Sequence, residues 1–178
     1  MDLTTLLWIQ AHLRCEALDV FFRIFTHLGD FGIFWILLTT LLLIRPQTRY
    51  TGVVMGLSLL ASVIFTEAVI KPLVDRPRPF ELFPLDLLIT PPVSSSFPSG
   101  HTSASFAAAT AFFITDKKGF WRWFLMAVAL LIALSRLYLF VHNPTDVLAG
   151  AVLGTVLAFV CTALLSRTKL RDRWSAHV

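Results

Sequence analysis

Three polar clusters interrupt a mostly apolar chain, and each carries side chains suited to holding an anion. The first runs Lys71-Pro-Leu-Val-Asp75-Arg76-Pro77-Arg78-Pro79. The second is Ser94 to Ser103, centred on Pro98-Ser99-Gly100-His101. The third is Ser135-Arg136, followed by His142-Asn-Pro-Thr-Asp146. Ionisable groups are costly in an apolar chain and need a reason to be there.

Each cluster has an ordinary reading on its own. Lys71 lies one helical turn after Glu67, so an i,i+4 ion pair with a snorkelling stem accounts for it. Arg76 and Arg78 alternate with prolines, which keeps the segment extended and fits lipid-headgroup contact as well as a site. Asp146 can cap a helix opened by Asn143-Pro144, beside an exposed His142. His101 alone is most simply a loop histidine. Arg136 resists such a reading. It sits inside an apolar run, and an unpaired guanidinium there is expensive, so it calls for a bound anion or an acidic partner.

Together the clusters describe phosphoryl transfer. Lys71, Arg78 and Arg136 neutralise phosphoryl oxygens. The N–H groups of Ser99 and Gly100 complete a cradle, because a helix begins there and its first N–H groups have no intrahelical acceptor. A carboxylate at Asp146 bonded to one nitrogen of His142 fixes its tautomer and leaves the other nitrogen as a nucleophile or base. Of His142 and His101, one attacks phosphorus and the other protonates the departing oxygen. No carboxylate cluster accompanies these residues, and several cations would repel a divalent ion, so no metal and no cofactor are expected. Neither a P-loop nor a dinucleotide-binding glycine pattern is present, and no nucleic-acid partner is expected.

The positioning elements are membrane helices. Of 178 residues, 56% are hydrophobic and 15% charged, and the mean hydropathy is +0.75. A soluble domain of this size carries more charge. The long apolar blocks predict an all-α polytopic bundle with about five transmembrane helices. They are expected at about Phe31–Ile44, Tyr50–Val74, Thr102–Thr115, Phe120–Val141 and Thr145–Leu165. Residues 1–28 read as an amphipathic, interfacial segment, which makes six spans if it inserts. Residues 29–166 form the membrane domain, and 167–178 a basic cytoplasmic tail. Leu85 to Ile89 can dip into the interface. Gly150 and Gly154, four apart, suit close helix packing. No signal peptide is apparent, and Cys15 and Cys161 suggest no disulfide.

Orientation follows from charge. Arg45 and Arg49, Lys117, Lys118 and Arg122, and Arg167 to Arg173 share one side of a five-span chain. By the positive-inside rule that side, with the C-terminus, is cytoplasmic. Residues 75–101 and 142–145 then lie on the outer face, so all three clusters converge there.

The clusters resemble the three-part signature of the type-2 phosphatidic acid phosphatase superfamily of membrane lipid phosphatases. K-x6-R-P matches Lys71 and Arg78-Pro79, P-S-G-H matches Pro98 to His101, and S-R-x5-H-x3-D matches Ser135-Arg136, His142 and Asp146. The resemblance covers about Gly29 to Leu165. It implies that His142 is the nucleophile forming a phosphohistidine, that Asp146 orients it and that His101 is the general acid. Lys71, Arg78, Arg136, Ser99 and Gly100 then bind the phosphoryl group without a metal, with Arg76 and Ser135 as supports behind them. Family members commonly have six spans, whereas five with interfacial helices is similar to the short bacterial undecaprenyl-diphosphate phosphatases. Undecaprenyl diphosphate is therefore the expected substrate of a cytoplasmic-membrane enzyme, with phosphatidylglycerophosphate or phosphatidic acid as alternatives. A phospholipid carrier without catalysis would need only the cations, not the two histidines and the aspartate. Vanadate-dependent haloperoxidases share the motifs but are soluble and larger.

Overall fold

The computed structural model describes residues 2–116 and 119–168. The Lys117-Lys118 pair and the basic tail beyond Thr168 lie outside the described residues. In order, α1 is Asp2–His12, α2 Glu16–His27, α3 Ile33–Ile44, α4 Arg49–Val63, α5 Lys71–Val74, α6 Pro79–Leu82, α7 Gly100–Thr115, α8 Trp121–Tyr138 and α9 Pro144–Ser166. No strand occurs among the described residues.

Helix α7 is the centre of the bundle and packs against α9, α4 and α8. Its composition explains the position. Ala104, Ala107, Ala108, Ala109 and Ala111 are all buried, and small side chains let neighbouring backbones approach closely. From α9, Gly150 and Gly154 meet this face. A Cβ on Gly150 would stand 2.7 Å from the Ser99 carbonyl oxygen, and one on Gly154 would fall onto the carbonyl oxygen of Ser103. The interior polar groups of α7 are paired across the bundle: Trp35 Nε1 donates to Ser105 Oγ at 2.9 Å, and Ser62 and Ser103 hydroxyls meet at 2.7 Å. The outer surfaces stay apolar, with Ile36, Leu37, Leu60, Leu148 and Phe159 exposed. That is the pattern of a bundle solvated by lipid rather than water.

Among the described residues, three segments are individually long and apolar enough to cross a bilayer: Pro46–Leu82, Trp121–Tyr138 and Pro144–Ser166. Helices α2 and α3 make a fourth when taken as one span bent by 45°. The expected third of five spans, α7, has only 16 residues, about 24 Å at 1.5 Å per residue. It falls short of a hydrocarbon core about 30 Å thick and is enclosed by the others. The turn between α2 and α3 is tight, with Phe31 at φ 50° and Gly32 at φ 66°.

Residues 2–28 pack on the bundle. Leu6 is fully buried, α1 touches α8 and α9, and α2 touches α8. Gln10 Nε2 donates to the Tyr138 carbonyl at 2.8 Å, and the Tyr138 hydroxyl donates to Asp19 Oδ1 at 2.5 Å. Leu87, Leu88 and Ile89 pack against Tyr138, Leu139 and Val141, so the apolar part of the long loop covers the end of α8.

Candidate active site

Backbone chemistry brings the three clusters to one end of the bundle. A π-helical turn, Ile64–Ile70, widens the end of the α4 run just before Lys71, a distortion often found at functional sites. Asp75 then takes a left-handed conformation, φ 41°, and stops α5. Pro79 disfavours helical backbone in the residue before it, and Arg78 is extended at φ −82°, ψ 156°. Ser99 caps α7, accepting from Thr102 Oγ1 at 3.0 Å. Asn143 and Pro144 open α9, and Asp146 accepts from the Asn143 N–H at 2.7 Å. Asp146 thus caps α9, and the hydrogen bond to His142 expected of it is not made, the two standing 3.8 Å apart.

Lys71, Arg78, Gly100, His101, Arg136 and His142 line a cavity of about 940 Å³. Lys71 is buried and donates to both oxygens of Glu67, at 2.7 and 2.9 Å, and to Ser94 Oγ at 2.9 Å. Arg78 donates to the carbonyls of Ser94 and Val141, at 2.7 and 2.8 Å. Arg136 donates to Thr26 Oγ1 at 2.5 Å, while its Nε is buried without a partner. The acidic partner expected for Arg136 is not among the ion pairs of the described residues.

His142 is 2% exposed. Its Nε2 lies 3.2 Å from Arg78 Nη1. A guanidinium can only donate, so Nε2 accepts and the proton of the neutral ring sits on Nδ1. Nδ1 has no hydrogen-bond partner, and its nearest acid is Asp146 Oδ2 at 3.8 Å. Burial pushes the imidazole down from its ordinary value; Arg78 and Arg136 add to the push, and Asp146 opposes it. The ring is therefore neutral near pH 7, with its lone pair on Nε2.

Asp146 is fully buried. Its Oδ2 accepts from Ser96 Oγ at 2.6 Å, and its Oδ1 from Arg76 at 2.6 Å. Arg76 also donates to Asp2 Oδ2 at 2.9 Å and to Thr145 Oγ1 at 2.7 Å. It stands behind the catalytic candidates, tying α1 to the start of α9. Ser135 is buried and donates to the Ile132 carbonyl at 2.6 Å within its own helix.

Ser99 departs from expectation. Its N–H is donated to the Asp146 carbonyl at 3.0 Å, and its side chain is buried as the α7 cap. Joining the starts of α7 and α9 consumes the donor that the helix start alone offers to an anion. Gly100 does line the cavity, and a Cβ there would stand 2.7 Å from Glu67 Oε1.

Several site residues carry no sequence motif. Thr26, His27 and Asp30, at the α2–α3 turn, line the same cavity, as do Glu67 and Ser94. The signal for His27 and Asp30 is the rule that singled out Arg136. Two ionisable groups, His27 and Asp30, sit between apolar runs and need a reason. The motifs on the far side of the chain overshadow them. Among the described residues, no group of three or more His, Cys, Asp or Glu side chains could hold a metal ion.

A sequence model of the PAP2 superfamily matches residues 51–169. An undecaprenyl-diphosphatase of Sulfolobus acidocaldarius is 36% identical over 134 residues, 74% of this chain and 64% of the relative. The match thus spans slightly less than two thirds of that relative's length. Among solved structures, Aquifex aeolicus LpxE superposes with a TM-score of 0.76 at 28% identity, covering 91% of this chain and 94% of its own. A transmembrane PAP2 type phosphatidylglycerolphosphate phosphatase from Bacillus subtilis superposes with a TM-score of 0.71 at 25% identity, covering 88% and 81%.

Proposed function

Because the chain belongs to the PAP2 superfamily, we propose that it is a membrane lipid phosphatase that hydrolyses undecaprenyl diphosphate through a phosphohistidine on His142. The observation that carries this reading is the environment of His142. Its acceptor nitrogen faces Arg78 at 3.2 Å, in a cavity that also takes in Lys71 and Arg136 and continues along Ile36, Leu59, Leu60 and Val63. A phosphate fits the cationic part, and an apolar tail fits the walls supplied by α3 and α4.

An entering phosphoryl group offers Arg78 a stronger, charged acceptor than a neutral imidazole. Transfer of that hydrogen bond from His142 to a phosphoryl oxygen uncovers the Nε2 lone pair. Nε2 then bonds to phosphorus as the bond to the leaving oxygen breaks, and His101 supplies a proton to that oxygen. Lys71, Arg78 and Arg136 offset the charge on the three remaining oxygens. The positive charge gained by the His142 ring faces Asp146. Water then cleaves the P–N bond, releasing phosphate and restoring the histidine.

Undecaprenyl diphosphate is favoured by the identity to the Sulfolobus relative of that activity. The likeness to the phosphatidylglycerolphosphate phosphatase supports a lipid monophosphate as the second reading. Phosphate release by the purified protein from a panel of lipid mono- and diphosphates separates them, and His142→Ala should abolish release while lipid binding persists. Unchanged turnover in that variant removes the proposed nucleophile. The active site is proposed to face outward, because Arg45, Arg49 and Arg122 precede or follow the spans at the opposite end. A reporter fused to the C-terminus should be cytoplasmic; an external reporter reverses the orientation.

A further inference from the structure

His101 makes its hydrogen bond to a residue outside every motif of the chain. Its Nε2 lies 2.8 Å from Asp30 Oδ1, and the other oxygen of Asp30 lies 2.6 Å from His27 Nδ1. All three side chains line the cavity. The glycine backbone permits the contact, since a Cβ on Gly29 would stand 2.6 Å from His101 Cδ2. Only glycine lets the α2–α3 turn close against the ring.

This arrangement has a chemical consequence. A carboxylate accepts, so Nε2 of His101 carries a proton and points it at Asp30. In the neutral ring Nδ1 is then bare, and such a ring can take a proton but cannot give one from Nδ1. To act as an acid, His101 must be doubly protonated. Burial and Arg136 push the pKa of this ring down to about 4 while Asp30 opposes them, so an imidazolium there needs a counterion. Asp30 is the carboxylate in contact with it.

We propose that Asp30 is the positioning residue that makes His101 a proton donor, with His27 anchoring the second oxygen of Asp30. The proposal rests on the phosphatase reading above. As the bond from phosphorus to the leaving oxygen breaks, that oxygen takes the proton from Nδ1 of His101. The ring becomes neutral and keeps its Nε2–H on Asp30. When water attacks the phosphohistidine, Nδ1 takes a proton from the water as the P–N bond breaks, and the imidazolium is restored. Asp30 stays ionised throughout, and no net proton is held over the cycle.

Leaving-group dependence tests this. Nitrophenolate departs without a proton, whereas an alkoxide does not. The full-length protein in detergent is assayed on p-nitrophenyl phosphate and on hexadecyl phosphate. Asp30→Asn should lower kcat on hexadecyl phosphate by about 10²-fold and on the aryl ester by less than about threefold, with KM little changed on both. His27→Ala should show the same asymmetry to a smaller extent. On a His101→Asn background, Asp30→Asn should cost nothing further. Equal losses on both esters, or losses that multiply with His101→Asn, overturn the role of Asp30 while leaving the phosphatase reading intact. A wild-type protein that releases phosphate from no phosphate ester overturns both.

Discussion

His142 Nδ1 and Asp146 Oδ2 stand 3.8 Å apart, beyond hydrogen-bond range, although both side chains are buried. Asp146 meanwhile accepts from Arg76, Ser96 and the Asn143 N–H. The carboxylate is thus held rigidly beside an imidazole that it does not yet bond. Charge that develops on the ring during attack would meet a preorganised anion. Asp146→Asn should lower kcat by roughly 10²–10⁴-fold with a much smaller change in KM. An effect confined to KM would mean that Asp146 serves binding instead.

The low-lying imidazole of His142 gives a stability prediction with a definite sign. Its folded value lies below the ordinary 6.5, chiefly because of burial. The unfolded chain then binds the proton more readily, so this contribution is full above about pH 6.5 and is lost as pH falls below it. The thermal midpoint of the wild-type protein should fall between pH 7 and 5, and His142→Gln should flatten that slope. An unchanged slope would show that other groups govern the acid response.

Arg136 bonds Thr26 with one nitrogen and leaves Nε buried and unpaired. Arg136 also lines the cavity, and if its planar fork holds a phosphoryl oxygen there, Arg136→Lys cannot substitute, because an ammonium lacks that fork. We expect Arg136→Lys and Arg136→Ala to weaken inhibition by inorganic phosphate at least about tenfold, a loss of about 1.4 kcal/mol. Inhibition equal to wild type in Arg136→Lys would leave a point charge as sufficient.

The close contact of α9 with α7 should be intolerant of side chains. A Cβ at Gly154 would fall on the Ser103 carbonyl oxygen, and that atom is backbone, not a movable tip. Gly154→Ala should lower stability by about 1–3 kcal/mol, read as a lower thermal midpoint in detergent. Gly150→Ala presses instead on the Ser99 carbonyl, 2.7 Å from the added carbon, two residues before His101. It should reduce kcat as well as stability. Wild-type midpoints in both variants would contradict the packing described.

Phosphate release should persist in excess chelator, because the proposed charge stabilisation comes from Lys71, Arg78 and Arg136. Loss of activity that a divalent ion restores would overturn the metal-free route.

Much of this protein was legible in its sequence. Apolar blocks of span length and the prolines and glycines between them marked the helices, because a bilayer tolerates few alternatives. The residue types of Lys71, Arg78, His101, Arg136, His142 and Asp146, taken together, point to phosphoryl transfer. What the chain could not reveal depends on which backbones touch. Ser99 reads as a free donor at a helix start, yet α9 passes close enough to claim its N–H. Gly29-Asp30 reads as a break between apolar runs, yet the turn it forms closes on His101 from 71 positions away. A hydrogen bond between distant residues is set by helix packing, and the pattern of either residue's neighbours does not record it.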